Sequence, residues 1–158
     1  MIIKNQIISG THVLNYDAIE NFNKLPLDKL LNAVNAQLND EIDTAAGNAR
    51  AAFVSPGSYI DQEYLLAKQE ASEWLAGGKD EAAIPSSVQD HIDMFGVSAE
   101  AAAQEIVATA EQWEQALGAI RSTRLGGKAA VQRAGTIEAA EEAAKQAIER
   151  LNQYRPAN

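Results

Sequence analysis

Residues 53–78, FVSPGSYIDQEYLLAKQEASEWLAGG, interrupt a helical pattern and then restart it. The interruption is Ser55-Pro56-Gly57, because proline disfavours helical geometry in the residue before it and glycine accepts left-handed turns. Such a break can be a binding loop, a catalytic loop or the corner of a helical hairpin. The helical patterns on both sides favour the corner.

Apolar residues recur at intervals of three or four on both sides of this corner, which predicts amphipathic helices. The helix before it begins near Pro26, a residue suited to a first helical turn, and the helix after it covers residues 59–76 and ends at Gly77-Gly78. The first stripe consists of Leu30, Val34, Leu38, Ile42, Ala45, Ala49 and Ala52. The second consists of Ile60, Tyr64, Ala67, Ala71 and Trp74 or Leu75.

Three more helices are predicted in the second half of the chain. Ser86 and Gln89 have the spacing of a capping box at the start of a short helix that Gly96 ends. Ser98 and Thr136 are candidate N-caps of a long helix and of a last helix. The long helix carries Ala99, Ala103, Ile106, Ala110, Trp113, Leu117, Ile120 and Arg124, and the last carries Ile137, Ala140, Ala144, Ile148 and Leu151.

The spacing in these last two helices is close to a heptad repeat. It allows either packing within one chain or a homo-oligomer. Gly126-Gly127 could weaken or end the long helix.

Residues 1–25 differ from the rest because they are rich in isoleucine and other β-favouring residues around a Ser9-Gly10 turn signal. They predict two short strands, and a lone hairpin is only marginally stable. We therefore expect this arm to pack on the helices or to dock on another chain. Its candidate partner-binding residues are Ile2, Ile3, Ile7, Ile8, Val13 and Tyr16. The predicted fold is mainly α, an alanine-rich helical bundle domain (residues 26–158) with a β-rich arm (residues 1–25).

Composition limits the classes of function. The net charge of −9 argues against a nucleic-acid surface and against binding to anionic lipids. The chain has no cysteine, which excludes disulfides and thiolate metal sites. No apolar run approaches the roughly 20 residues that span a bilayer, and the first ten residues lack a signal-peptide pattern. We expect synthesis in a cytoplasm.

Candidate catalytic residues are sparse. The histidines, His12 and His91, have no metal-site spacing. The segment RLGGKAAV, residues 124–131, lacks the first glycine and the Ser or Thr of a phosphate loop. We therefore predict no enzymatic activity, no cofactor and no metal.

Two groups of residues have more than one interpretation. The basic cluster Arg121, Arg124, Lys128 and Arg133 could dock an acidic partner or complement the dipole of a helix C-terminus. Tyr59, Tyr64, Trp74 and Trp113 are interpreted as large core residues, with a carbohydrate-binding platform as the alternative.

Two segments resemble small tail-associated proteins of bacteriophages and prophages. The first match has an aromatic-aliphatic pair, a Ser/Thr-Pro-Gly corner and a tyrosine followed by xxK: Phe53, Val54, Ser55, Pro56, Gly57, Tyr64 and Lys68. The second is residues 108–131, ATAEQWEQALGAIRSTRLGGKAAV, which is similar to the helix of that family with its W…I…R…GKAA signature. The resemblance covers about half the chain and does not include the N-terminal arm.

The resemblance implies a non-enzymatic protein of the phage tail or tail-fibre region, made in the bacterial cytoplasm and located in the virion. Its partners would be other tail or fibre proteins, or copies of itself. Two alternatives stay open: a tail-fibre assembly chaperone that leaves the particle, and a host-directed binding or inhibitor protein. The resemblance supplies no catalytic residues.

Overall fold

The computed structural model describes residues 2–8, 11–17, 26–53 and 60–155; within the first two ranges it describes the backbone and the side chain of Lys4. The fold is mainly helical, as predicted from the sequence. Its elements are β1 (Ile2–Ile8), β2 (Thr11–Asp17), α1 (Leu27–Ala51), α2 (Ile60–Ala76), a 3₁₀ turn (Glu81–Ala83), α3 (Ser86–Phe95), α4 (Ala99–Arg133) and α5 (Ile137–Leu151).

The chain forms two compact units. The first unit contains residues 1–52 and 119–158, and the second contains Phe53–Gly118. Helix α4 contributes residues to both. The division into an arm and one bundle domain stays a prediction, and the corner at Ser55-Pro56-Gly57 lies outside the described residues.

The core of the first unit is built by α1, α5 and the C-terminal part of α4. Its largest fully buried side chains are Leu30, Val34, Ile42, Ile120, Val131 and Leu151. The stripe predicted for α1 is confirmed from Leu30 to Ala49 and wrong at Ala52, which is exposed because it lies just after the helix ends. Several buried alanines of α1 and α5 complete the core: Ala33, Ala45, Ala46, Ala49, Ala140, Ala144 and Ala147.

Helix α4 does not end at Gly126-Gly127 but continues to Arg133. Gly127 is buried, and a Cβ atom added there would collide with the Cβ of Ala147 and lie 3.5 Å from Cδ1 of Ile42. The absence of a side chain at Gly127 therefore permits close contact of α4 with α5 and α1.

The predicted N-terminal strand pair agrees with the described backbone. β1 and β2 are antiparallel, with Lys4 opposite Asn15. β1 lies against α1, where the backbone N–H of Lys4 donates a hydrogen bond to Oε1 of Gln37 at 2.9 Å. The Ser9-Gly10 turn lies outside the described part, as do the side chains of the arm's predicted partner-binding residues Ile2, Ile3, Ile7, Ile8, Val13 and Tyr16.

The second unit has a small core between α2, α3 and the N-terminal part of α4. Its buried residues are Ala71, Trp74, Val88, Ala102 and Ala103. The indole Nε1 of Trp74 donates a hydrogen bond to the carbonyl oxygen of Asp80 at 2.9 Å, which satisfies the polar end of this large buried side chain.

Most predicted helix ends are confirmed. The hydroxyl oxygens of Ser98 and Thr136 each accept a hydrogen bond from a backbone N–H three residues on, both at 3.2 Å. Gly96 ends α3 in the left-handed conformation with φ 68°. Within the described part of the chain, no helix is long and apolar enough to span a membrane.

The capping box predicted at Ser86 and Gln89 is wrong. Pro85 is the N-cap of α3, and Ser86 is already inside the helix. The next residue, Ser87, donates hydrogen bonds from its backbone N–H (3.2 Å) and its hydroxyl (2.6 Å) to Oε2 of Glu70 on α2. The Glu70 carboxylate of α2 therefore accepts a hydrogen bond from one backbone N–H in the first turn of α3.

Candidate functional site

A groove of about 660 Å³ lies in the second unit, on the surface formed by α2, α3 and α4. Its volume is within the range of small-molecule and side-chain binding pockets. The lining residues are Phe53, Glu63, Tyr64, Leu66, Ala67, Glu70, Ser86, Ser87, Asp90, His91, Met94, Ile106, Thr109, Ala110 and Trp113. All of them belong to the second unit, Phe53–Gly118.

Large apolar side chains are exposed in and beside this groove. Leu66 on α2 is 56% exposed and Met94 on α3 is 76% exposed, and both line it. Their chain neighbours Leu65 and Phe95 are also exposed. Such a concentration of exposed leucine, methionine and phenylalanine is typical of a surface that another molecule covers.

The charged side chains that line the groove are acidic. The ionisable lining consists of Glu63, Glu70, Asp90 and the histidine His91, without any lysine or arginine among the described lining residues. Glu70 is held by Ser87, as described above, and Nε2 of His91 lies 2.9 Å from Oε2 of Glu105 on α4. Glu63 and Asp90 are exposed and leave negative charge at the groove.

Trp113 lines the groove from α4 and has an unusual indole. Its Nε1 is buried, yet within the described part of the chain it has no hydrogen-bond partner. A buried donor without a partner costs about 1–3 kcal/mol. The indole of Trp74, in contrast, is hydrogen-bonded.

An ion pair next to the groove connects two of its walls. Nζ of Lys68 on α2 lies 2.7 Å from both carboxylate oxygens of Glu114 on α4. The lysine side chain is mostly buried, with a relative exposure of 25%. This contact gives Lys68 a structural role beside the groove.

The prediction that the large aromatic residues fill the core is confirmed only in part. Trp74 is buried, and Trp113 is half-buried. For Tyr64 the prediction is wrong, because its side chain is 39% exposed and lines the groove. Tyr59 lies outside the described residues. A carbohydrate-binding role for these aromatic residues stays an untested alternative.

The basic cluster lies in the first unit. Nη1 of Arg124 is 2.9 Å from Oδ1 of Asp43, and Nζ of Lys128 is 2.6 Å from Oδ2 of the same carboxylate. The hydrogen bond from Lys128, followed by that from Arg124, holds the pKa of Asp43 below its ordinary value. Arg121 and Arg133 are exposed.

The basic residues predicted to bind a partner differ in whether they already form an ion pair within the chain. Arg124 and Lys128 connect α4 to α1, so an acidic partner would compete with Asp43 for them. Arg121 has no such contact among the described residues. A partner-binding role for Arg121, Arg124 and Lys128 stays a prediction.

A second, open groove lies in the first unit, with a volume of about 810 Å³. Glutamates of α5 and α1 dominate its lining, together with Lys4 and Lys145. Across the described residues, no group of three or more histidine, cysteine or carboxylate side chains could hold a metal ion.

Sequence reasoning missed the groove of the second unit. One signal was available: Leu65 and Leu66 lie off the apolar stripe predicted for α2, and Met94-Phe95 directly precede the helix stop at Gly96. Apolar residues outside the buried face of a helix indicate a second contact surface.

Comparison with protein-family models gives no match, and comparisons with curated proteins and with solved structures give none either. The resemblance to phage tail-associated proteins therefore stays a prediction that rests on residues 53–77 and 108–131.

Proposed function

We propose that this chain is a non-enzymatic protein that acts through protein–protein contacts in a bacteriophage tail or tail fibre. The observation that carries the contact role is the groove of the second unit, with exposed Leu66 and Met94 in its lining and the exposed Phe95 next to Met94 in the chain. Burial of such side chains against a partner is worth about 1.5–3 kcal/mol for each one that becomes fully buried.

The phage context has separate support. It comes from the two sequence segments that resemble tail-associated proteins, and one of them contains Tyr64, which lines the groove, and Lys68, which is paired beside it. In this proposal other tail or fibre proteins are the partners, and the protein is retained in the particle.

The test is quantitative mass spectrometry of purified particles of the phage that encodes the chain. We expect the protein at a fixed copy number per particle, because a structural component occupies defined sites. A known non-structural phage protein from the same lysate is the control for contamination. Absence of the chain from particles, together with abundance in infected cells, would reject the structural role.

That second outcome would favour a tail-fibre assembly chaperone. The same groove supports this alternative, since a chaperone also needs an exposed apolar surface that its client covers. A chaperone would co-purify with its tail or fibre client before assembly and be absent afterwards. A host-directed binder would instead co-purify with a host protein.

A further inference from the structure

We infer that the groove of the second unit binds a segment of a partner protein in which apolar side chains are flanked by lysine or arginine. This inference rests on the proposed function only in one respect, namely that the chain acts through protein–protein contacts. It does not depend on the phage context.

The apolar part of the specificity follows from the walls of the groove. Leu66 from α2, Met94 from α3 and Ile106 from α4 give it apolar side chains on all three helices. Methionine adapts its shape to different contacts. A groove between helices with such walls suits the apolar face of an amphipathic segment.

The charge of the partner follows from complementarity. Glu63 and Asp90 line the groove and are exposed, and the described lining residues include no lysine or arginine. The whole chain has a net charge of −9, which adds a long-range attraction for cationic segments. An acidic segment would meet repulsion at both carboxylates.

Trp113 lines the groove from α4 and is half-buried. Its large aromatic ring therefore supplies a further apolar contact surface for a bound segment. The position of Trp113 in the lining also makes its indole N–H signal a reporter of an occupied groove.

Binding can be measured with two synthetic peptides and the intact ¹⁵N-labelled protein. One peptide is an amphipathic helix of about 16 residues, long enough for a helix to be populated on binding, with leucine on one face and lysine on the other. The second has the same leucines and replaces every lysine with glutamate. The chain has two tryptophans, so its NMR spectrum contains two indole N–H signals.

We expect the lysine peptide to shift the Trp113 indole signal in a saturable way and to leave the Trp74 signal in place, because Trp74 is already hydrogen-bonded in the core. The variant Trp113→Phe assigns the signals. The glutamate peptide should bind at least about tenfold more weakly, a difference of about 1.4 kcal/mol.

Charge reversal in the groove provides the matched comparison. Glu63→Lys and Asp90→Lys should each weaken binding of the lysine peptide about tenfold. Glu81→Lys makes the same change in net charge at an exposed position of the 3₁₀ turn that does not line the groove. It should change the affinity less than about twofold. Circular dichroism verifies that each variant is folded.

Four results would overturn the inference. The first two are equal affinity of both peptides, and a Trp113 indole signal that does not shift when the lysine peptide is added. The third is a loss of peptide affinity with Glu81→Lys as large as that with Glu63→Lys. The fourth is a dimer of the protein that the substitution Leu66→Gln dissociates. The last would make a second copy of this chain the occupant. Failure of the protein to bind the lysine peptide, together with normal incorporation into particles, would reject the groove inference alone. Absence from particles with intact peptide binding would reject the structural role in the particle alone.

Discussion

Two adjacent glycines on α4 differ in what a side chain would meet. A Cβ at Gly127 would collide with Ala147, whereas a Cβ at Gly126 would have no atom within 4 Å. We predict that Gly127→Ala destabilises the protein by about 1–2 kcal/mol, since overpacking exceeds the gain in helix propensity.

Gly126→Ala is the matched control and should stabilise the protein by up to about 1 kcal/mol. Urea unfolding followed by circular dichroism measures both variants. Equal stability of the two would contradict the close approach of α4 and α5.

Asp43 is predicted to make stability depend on acid pH. Its pKa is lowered in the folded state by Lys128 and Arg124. Ionised Asp43 therefore adds its full contribution to the free energy of unfolding above the ordinary aspartate pKa of about 3.9. This contribution is lost as the pH falls through the lower pKa of the folded state. At pH 7, Asp43→Asn should destabilise by about 0.5–1 kcal/mol, because the pair is partly exposed.

The difference in unfolding free energy between the wild type and Asp43→Asn should therefore shrink below about pH 4. Asp40→Asn, at an exposed position one turn earlier on α1, is the control and should show a smaller effect at pH 7. A difference for Asp43→Asn that stays constant between pH 7 and pH 2.5 would contradict this prediction.

At the scale of the element, the helix ends can be tested through two hydroxyl residues. Thr136 caps α5, while Ser86 lies inside the first turn of α3 and is not its N-cap. We predict that Thr136→Ala lowers the unfolding free energy by about 1 kcal/mol. Ser86→Ala should change it by less than about 0.5 kcal/mol. Thermal and urea unfolding measure both, and equal losses would show that Ser86 has a capping role after all.

Ser86, Ser98 and Thr136 also show which helix N-caps the local sequence predicts correctly. Ser98 and Thr136 cap as predicted because an N-cap bond forms between residues three apart. The capping box at Ser86 failed because Glu70, 17 residues away from Ser87, reaches the same helix end. Local spacing contains no information about such a competitor.

At the scale of the whole molecule, each unit has a core of its own. Val88 is fully buried in the second unit and Val131 in the first. We predict that Val88→Ala, at a cost of about 2 kcal/mol, lowers hydrogen-exchange protection in α2 and α3 more than in α5. Val131→Ala should do the reverse. An equal loss across both units in each variant would show that they unfold as one cooperative body.

The N-terminal arm is predicted to anchor the protein to a neighbour in the particle. Deletion of residues 1–25 should abolish incorporation while the helical circular dichroism signal is retained, since the helices contribute most of the structure. The control is the full chain carried through the same complementation assay. Normal incorporation of the shortened chain would reject this role for the arm.

The sequence by itself determined the helices, the buried stripe of α1 from Leu30 to Ala49 and most helix ends, because these depend on spacing within a few residues along the chain. The tertiary structure decided the contacts between residues that lie far apart in the chain. Asp43 meets Arg124 and Lys128 across 81 and 85 positions. Gly127 needs its small size only because Ala147 packs against it. The groove forms because α2, α3 and α4 place exposed apolar residues together, and no local pattern encodes that arrangement.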